Sequence, residues 1–186
     1  MIKPLNVNLL PYDLQWQELA ETEKNRLISA LGDSVIRAHH IGSTAIPGTL
    51  AKPIIDLLLE IADLRAFENH RQSLETLGYT WLGENGLSGR RFCIFNDPIT
   101  GRRLIHLHAY IGGSPDVSRH LAFRDLMLQE PALVREYEQL KLDCQKRHSD
   151  NSEAYSICKS SWIKALETRA LASLGLGSQH PVLTSG

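Results

Sequence analysis

Cysteine is scarce in this 186-residue chain, and no two of its three cysteines share a C-x-x-C spacing. The small odd number argues against a disulfide framework and a zinc knuckle. Cys93, Cys144 and Cys158 are therefore read as core or surface residues without a role. Long apolar runs are missing too. The longest, Ile54 to Ile61, is broken by Asp56 and Glu60, and nothing approaches the roughly 20 residues of a membrane span. Met1-Ile2-Lys3-Pro4-Leu5 lacks the apolar core of a signal peptide. Neither sign of charge dominates, with 20 Lys plus Arg against 21 Asp plus Glu. A nucleic-acid partner is not expected from that balance, a local basic patch aside. These absences together predict a reduced, cytoplasmic protein with no membrane partner.

What remains is the mix of a folded domain, 42% apolar and 22% charged. A chain of this length buries roughly 70% of its unfolded surface and needs no staple. Trp16, Leu19, Ala20, Leu27 and Leu31 recur at helical spacing, predicting a helix over 14–31 stopped by Gly32. Strands are expected at 35–41, at 53–61 and at 79–82. The 53–61 strand is apolar enough to lie inside a sheet. A helix is expected over 64–77, and a β-hairpin from 90–95 and 103–110 around Asn96-Asp97-Pro98-Ile99-Thr100-Gly101. Helices at 118–128, 133–148 and 153–174 follow. Strands first and helices last predict an α+β fold: a small mixed sheet with a C-terminal helical layer. The expectation is a single domain over 1–175, its helical part at about 116–174, and a flexible tail at 176–186.

The strongest chemical signal is His40-Ile41-Gly42-Ser43-Thr44-Ala45-Ile46-Pro47-Gly48, followed by Lys52-Pro53-Ile54-Ile55-Asp56. A strand runs into a Gly-Ser turn, and the next strand carries an acid among apolar neighbours. Gly42 lets a ligand approach backbone N–H groups. Ser43 and Thr44 add hydroxyls suited to phosphate oxygens, and Lys52 adds a positive charge. An unpartnered Asp56 would be costly there, and a metal ion is one way to satisfy it. The bland alternative is a surface turn, with Asp56 capping a backbone group. His106 and His108 stand at i, i+2 on a strand, so their rings share a face. With Asp56 they could form a two-histidine, one-carboxylate metal set, or one could pack in the core and the other face solvent. One of Arg90 and Arg91 would point to the Asp56 face and hold a phosphate, or both could make exposed ion pairs. His120 and Arg124 share a helix face that could cover the site. Tyr155 and Lys159, also i, i+4, could stack on a base and meet a phosphate, or pack as ordinary helix surface.

The motif closely resembles the signature of the GrpB-like family. The resemblance continues through Pro11-Tyr12-Asp13, Trp16, His106-Leu107-His108, the run from Ser118 to Asp125, Tyr155 and Lys159, and so spans about residues 8 to 170. It implies the nucleotidyltransferase superfamily, in which a Gly-Ser strand end and two acids at i and i+2 of the next strand hold divalent ions and a nucleoside triphosphate. In some bacteria a similar domain is fused to dephospho-CoA kinase. Carried over, Gly42 and Ser43 match the phosphate-contacting pair and Asp56 the first acid. The second acid is replaced by Leu58. Glu60 shares that face but lies roughly 7 Å further on.

The reading is a nucleotidyltransferase-like protein that binds a nucleoside triphosphate, with ATP the expected one, and a divalent cation such as Mg2+. If catalytic, it would pass a nucleotidyl group to an acceptor that the sequence does not name. Asp56, His106 and His108 are the expected catalytic and metal residues. Gly42, Ser43, Thr44, Lys52, Arg91, Tyr155 and Lys159 are the expected nucleotide contacts. The alternatives are a non-catalytic nucleotide- or CoA-precursor-binding module, and a metal-dependent phosphohydrolase built on His106, His108 and Asp56.

Overall fold

A computed structural model describes residues 6–176. The expected absence of a signal peptide concerns residues 1–5, and nearly all of the expected tail lies at 177–186. Both lie outside the described residues. Five strands form one mixed sheet: β1 (Val35–Ile41), β2 (Ile55–Ile61), β3 (Tyr79–Trp81), β4 (Arg91–Asn96) and β5 (Arg103–Ile111), in the order β1-β2-β5-β4-β3. Only β2 and β5 run parallel; the other neighbours are antiparallel. The near-continuous apolar run of β2 thus lies inside the sheet, where both of its faces are covered.

Strand alternation divides the sheet's residues between two layers. Leu57, Leu59 and Ile61 of β2 join Leu107 and Ala109 of β5 in the main core. Helix α1 (Gln15–Leu31) covers that face with Trp16, Ala20, Leu27 and Leu31, all buried. Phe67 and Leu74 reach the same core from α2 (Leu64–Glu68) and α3 (Arg71–Thr76). The single helix expected over 64–77 is two short ones. Asn69 and His70, both poor helix formers, separate them, and the His70 ring bonds Ser34 Oγ at 2.6 Å.

The opposite face carries Asp56, Leu58, His106, His108 and Tyr110. It is roofed by α4 (Pro115–Gln129), α5 (Pro131–Arg147) and α6 (Ser152–Ser173). Two of these helices begin earlier than their apolar pattern predicts, because Pro115 and Pro131 occupy first-turn positions where a missing N–H costs nothing. Asn151 caps α6 by accepting from the Glu153 and Ala154 N–H groups. Phe123, Met127, Leu133, Val134, Tyr137 and Leu166 pack the three helices together, with Ile46 of the Gly-Ser turn among them.

The reading of the cysteines is corrected here. Cys144 of α5 and Cys158 of α6 form a disulfide, while Cys93 is buried and free. Their spacing of 14 residues carries no motif. It is the antiparallel α5–α6 hairpin, turning at 148–151, that sets the two sulfurs opposite each other. No helix among the described residues is long and apolar enough to cross a membrane.

Leu58 stands where the resemblance calls for a second acid, and it is fully buried with Ile41, Tyr110 and Val117. Leu58→Ala is expected to lower the unfolding free energy by about 2–5 kcal/mol. Leu58→Asp should cost at least as much, because it also places an unpaired charge under α4. Urea denaturation measures both; a Leu58→Asp protein as stable as the parent would contradict this packing.

Candidate functional site

Register brings the site together. Asp56 pairs with Ile41 on one side and with His106 on the other, and Leu58 pairs with His108. Asp56, His106 and His108 therefore face the helical layer side by side. His106 Nδ1 lies 3.0 Å from Asp56 Oδ1, and His108 Nε2 lies 3.8 Å from the same oxygen. His106 Nε2 is 3.3 Å from Arg103 Nη1. An ionised carboxylate has no proton to give and a guanidinium no lone pair to offer. His106 therefore donates from Nδ1 to Asp56 and accepts at Nε2 from Arg103.

Gly42 has φ 71°, and a Cβ there would collide with the Asp56 carboxylate, meeting Cγ at 3.1 Å. The glycine makes room for the acid, rather than only for a ligand. Burial alone would raise the Asp56 pKa, but the His106 hydrogen bond and the neighbouring His108 ring outweigh it and hold the carboxyl well below the usual range. The acid faces the Gly-Ser turn, and 29% of its side chain is accessible.

A cavity of about 380 Å³ opens beside this cluster, between the sheet and α4–α6. Gly42, Ser43, Thr44, Lys52, Asp56, His106, His108, Tyr155 and Lys159 all line it. Arg91 does not, which corrects its assignment. It pairs with Ala109, so it faces the α1 layer, where it binds Glu68 at 2.5 Å. Thr44 lines the cavity, but its hydroxyl already bonds His40 Nε2 at 2.9 Å. Glu60 lies beyond reach; it accepts from the Gly113 N–H and bonds His39 Nε2 at 2.8 Å.

The helical layer adds two residues that no motif singled out, Tyr137 and Lys141 of α5, which line the cavity. Arg119 and the expected His120 of α4 line it as well. Arg124 turns away to donate to the His40 carbonyl at 3.1 Å. Lys159 Nζ lies over the Tyr155 ring at 4.2 Å and 3.4 Å from the Tyr137 hydroxyl. Lys141, fully buried, lies over the other ring at 4.4 Å and donates to Thr49 Oγ1 and the Leu50 carbonyl. Lys52 approaches the Tyr155 ring at 5.7 Å. Burial lowers all three lysines, Lys141 to about 7 and Lys159 to about 8, and the Lys159 charge lowers Lys141 and Lys52 further. The i, i+4 spacing that marked Tyr155 and Lys159 also links Tyr137 to Lys141 and could have pointed to the rest of this wall.

The expected metal set meets a poor fit. Among the described residues, Asp56 is the only carboxylate on its strand face near the turn, and one of its oxygens already accepts a hydrogen bond from His106. Mg2+ prefers oxygen ligands in octahedral array, and two-metal transfer needs a second acid. Among the described residues, no group of three or more His, Cys, Asp or Glu side chains is placed to hold a metal ion.

Burial lowers His40 to about 4, His120 to about 3, and His108 as well. Each is thus kept neutral in the fold, while the unfolded chain takes up protons as pH drops below about 6.5. Stability is fully present above that value and falls as pH decreases toward the folded-state pKa values. Urea midpoints measured from pH 7 to 4 should fall steadily; a flat profile would contradict the burial of these rings.

The GrpB protein family model matches residues 6–169. The UPF0157 protein YqkA of Bacillus subtilis is 38% identical over 164 residues, covering 88% of this chain and 47% of the relative, so the chain spans about half of that protein's length. A protein named dephospho-CoA kinase from Mycolicibacterium paratuberculosis is 27% identical over 88% of this chain and 46% of its own. Among solved structures, the conserved protein GrpB from Enterococcus faecalis superposes with a TM-score of 0.83 at 34% identity, over 90% of this chain and 99% of that one. With its family signature, mixed sheet and helical roof in agreement, this chain belongs to the GrpB family.

Proposed function

We propose that this protein binds a nucleotide through its polyphosphate, with ATP the expected ligand. The observation that carries the reading is the convergence of Lys52, Lys141 and Lys159 on one cavity beside the Gly42-Ser43 turn. None of the three forms an ion pair with a carboxylate among the described residues. The two carboxylates that line the cavity are engaged elsewhere: Asp56 with His106, and Glu167 with Arg119 at 3.0 Å. A polyanion would supply the missing counter-charge and relieve the repulsion between the lysines. Tyr155 and Tyr137, both buried, brace these ammonium groups from the same wall.

Transfer of a nucleotidyl group, which the resemblance also implies, calls for a second acid that Leu58 does not supply. Binding is accordingly the activity this geometry supports. The lysines take over the charge offset that Mg2+ would give. A metal-dependent phosphohydrolase finds no support in imidazoles already turned toward Asp56. The relatives named dephospho-CoA kinase favour one variant of the reading, a CoA precursor, which carries the same phosphate chemistry.

Isothermal titration calorimetry with ATP, pyrophosphate and dephospho-CoA tests this. ATP should bind with and without a chelator, and Lys159→Ala should weaken it by about tenfold, the worth of one charge-assisted contact. Loss of binding on chelation would instead return Mg2+ to Asp56. No binding of any phosphate ligand would end the proposal.

The depressed lysine pKa values set the pH dependence. Below about pH 7 the free protein already holds both protons, and affinity is greatest. As pH rises through the values of about 7 for Lys141 and about 8 for Lys159, binding must draw protons from solvent and the affinity for ATP should fall. Calorimetry at pH 7 to 9 in buffers of different ionisation enthalpy should show proton uptake. Proton release, or an affinity that rises over this range, would contradict the lysine assignment.

A further inference from the structure

The Cys144–Cys158 bond lies directly behind the lysine wall. Cys144 is one turn beyond Lys141 on α5, and Cys158 immediately precedes Lys159 on α6. Cys144 is fully buried in a small cluster with Val7 and Tyr155, and Tyr155 is the ring under the Lys159 ammonium. The bond therefore ties together the two helices whose ammonium groups approach the same Tyr137 ring, Lys141 at 4.4 Å and Lys159 at 5.6 Å.

The two sulfurs differ in their surroundings. Cys158 is partly exposed, whereas Cys144 is closed off. Arg147 Nη2 approaches Cys144 Sγ at 3.8 Å. A guanidinium beside a sulfur favours its thiolate, and a better leaving thiolate breaks away faster in exchange. Access at one sulfur and charge stabilisation at the other give the bond a direction of attack.

We propose that Cys158 is a thiol–disulfide exchange site for small thiols, and that opening this bond weakens the polyanion site. The proposal rests on the binding reading above. The thiolate of a small thiol attacks Cys158 Sγ, the bond to Cys144 breaks, and its electron pair leaves on Cys144 Sγ beside Arg147. A second thiol attacks the mixed disulfide at the thiol-derived sulfur and frees Cys158. Two small thiols become one small disulfide, and their two protons pass to the two protein thiols. With the tie open, α5 and α6 are free to separate at this end, and Lys141 and Lys159 no longer converge.

The test compares the full chain with its disulfide intact, as confirmed by alkylation and mass spectrometry, with the same chain reduced by dithiothreitol. Calorimetric titration with pyrophosphate should show affinity falling by about tenfold on reduction, as for one lost charged contact, and recovering on reoxidation with oxidised glutathione. Cys158→Ser should bind like the reduced form whether or not reductant is present. Arg147→Gln should slow reduction of the bond while leaving the affinity of the oxidised form unchanged. Equal affinity in the oxidised and reduced forms would overturn the proposal and leave the bond a plain staple, with the binding reading intact. Absence of pyrophosphate binding in both forms would overturn the two together. In the single-cysteine variants, oxidised glutathione should form its mixed disulfide faster at Cys158 than at Cys144; the reverse order would overturn the assigned site of attack.

Discussion

A carboxylate set in the middle of an apolar strand is tolerable only if something meets its charge, and the Asp56–His106 hydrogen bond is what meets it here. Much of the local architecture serves that contact. The parallel pairing of β2 with β5 puts the ring opposite the acid. The turn after β1 carries a glycine because the carboxylate occupies the space a side chain would need. Arg103, reaching back from the start of β5, holds the far nitrogen of the same ring and so fixes its tautomer. A slip of one residue between β2 and β5 would turn one partner to the other face, leaving an unpaired acid against the α1 core.

This explains which parts of the molecule could be read from the chain and which could not. Strand alternation placed His106 and His108 on one face, and the apolar run around Asp56 placed β2 inside the sheet. Both follow from local periodicity, which sequence carries directly. Which strand neighbours which is a long-range property, so the contact between Asp56 and His106, 50 residues apart, rested on a conditional. Arg91 shows where alternation stops deciding. Alternation says that Arg90 and Arg91 face opposite ways, but only the register with Ala109 decides which one faces the acid. The disulfide was illegible for the same reason, because its geometry belongs to the α5–α6 hairpin and not to any cysteine spacing.

The helical layer contributes most of what the sequence left unread. Lys141 is fully buried, a placement that no charge pattern on an amphipathic helix announces. Its ammonium is satisfied by Thr49 and the Leu50 carbonyl, in the loop between the Gly-Ser turn and β2. Glu138, one turn earlier, accepts the Leu50 N–H at 2.9 Å. One helix thus holds the loop that shapes the cavity and brings charge to its wall. The depressed pKa of such a lysine means that the folded state holds its proton less tightly than the unfolded chain. Its contribution opposes folding below about pH 7 and fades as pH rises toward the ordinary lysine value. An anion that restores the full charge stabilises the fold by the same linkage.

The apolar Leu58 and these lysines are linked through the helical layer. Leu58 lies under Val117 of α4, with Leu121 packed against the same cluster. A carboxylate at that position would need either an open approach for metal and water or a cation beside it, and the docked helix allows neither. In the proposed binding site, with α4 seated on the sheet, the positive charge that meets a polyphosphate comes from the roof. The roof carries it on Lys141 and Lys159, braced against two tyrosine rings and set across the cavity from Asp56. Leu58 on the strand and the cationic wall opposite it thus both depend on one helical layer docked on the sheet.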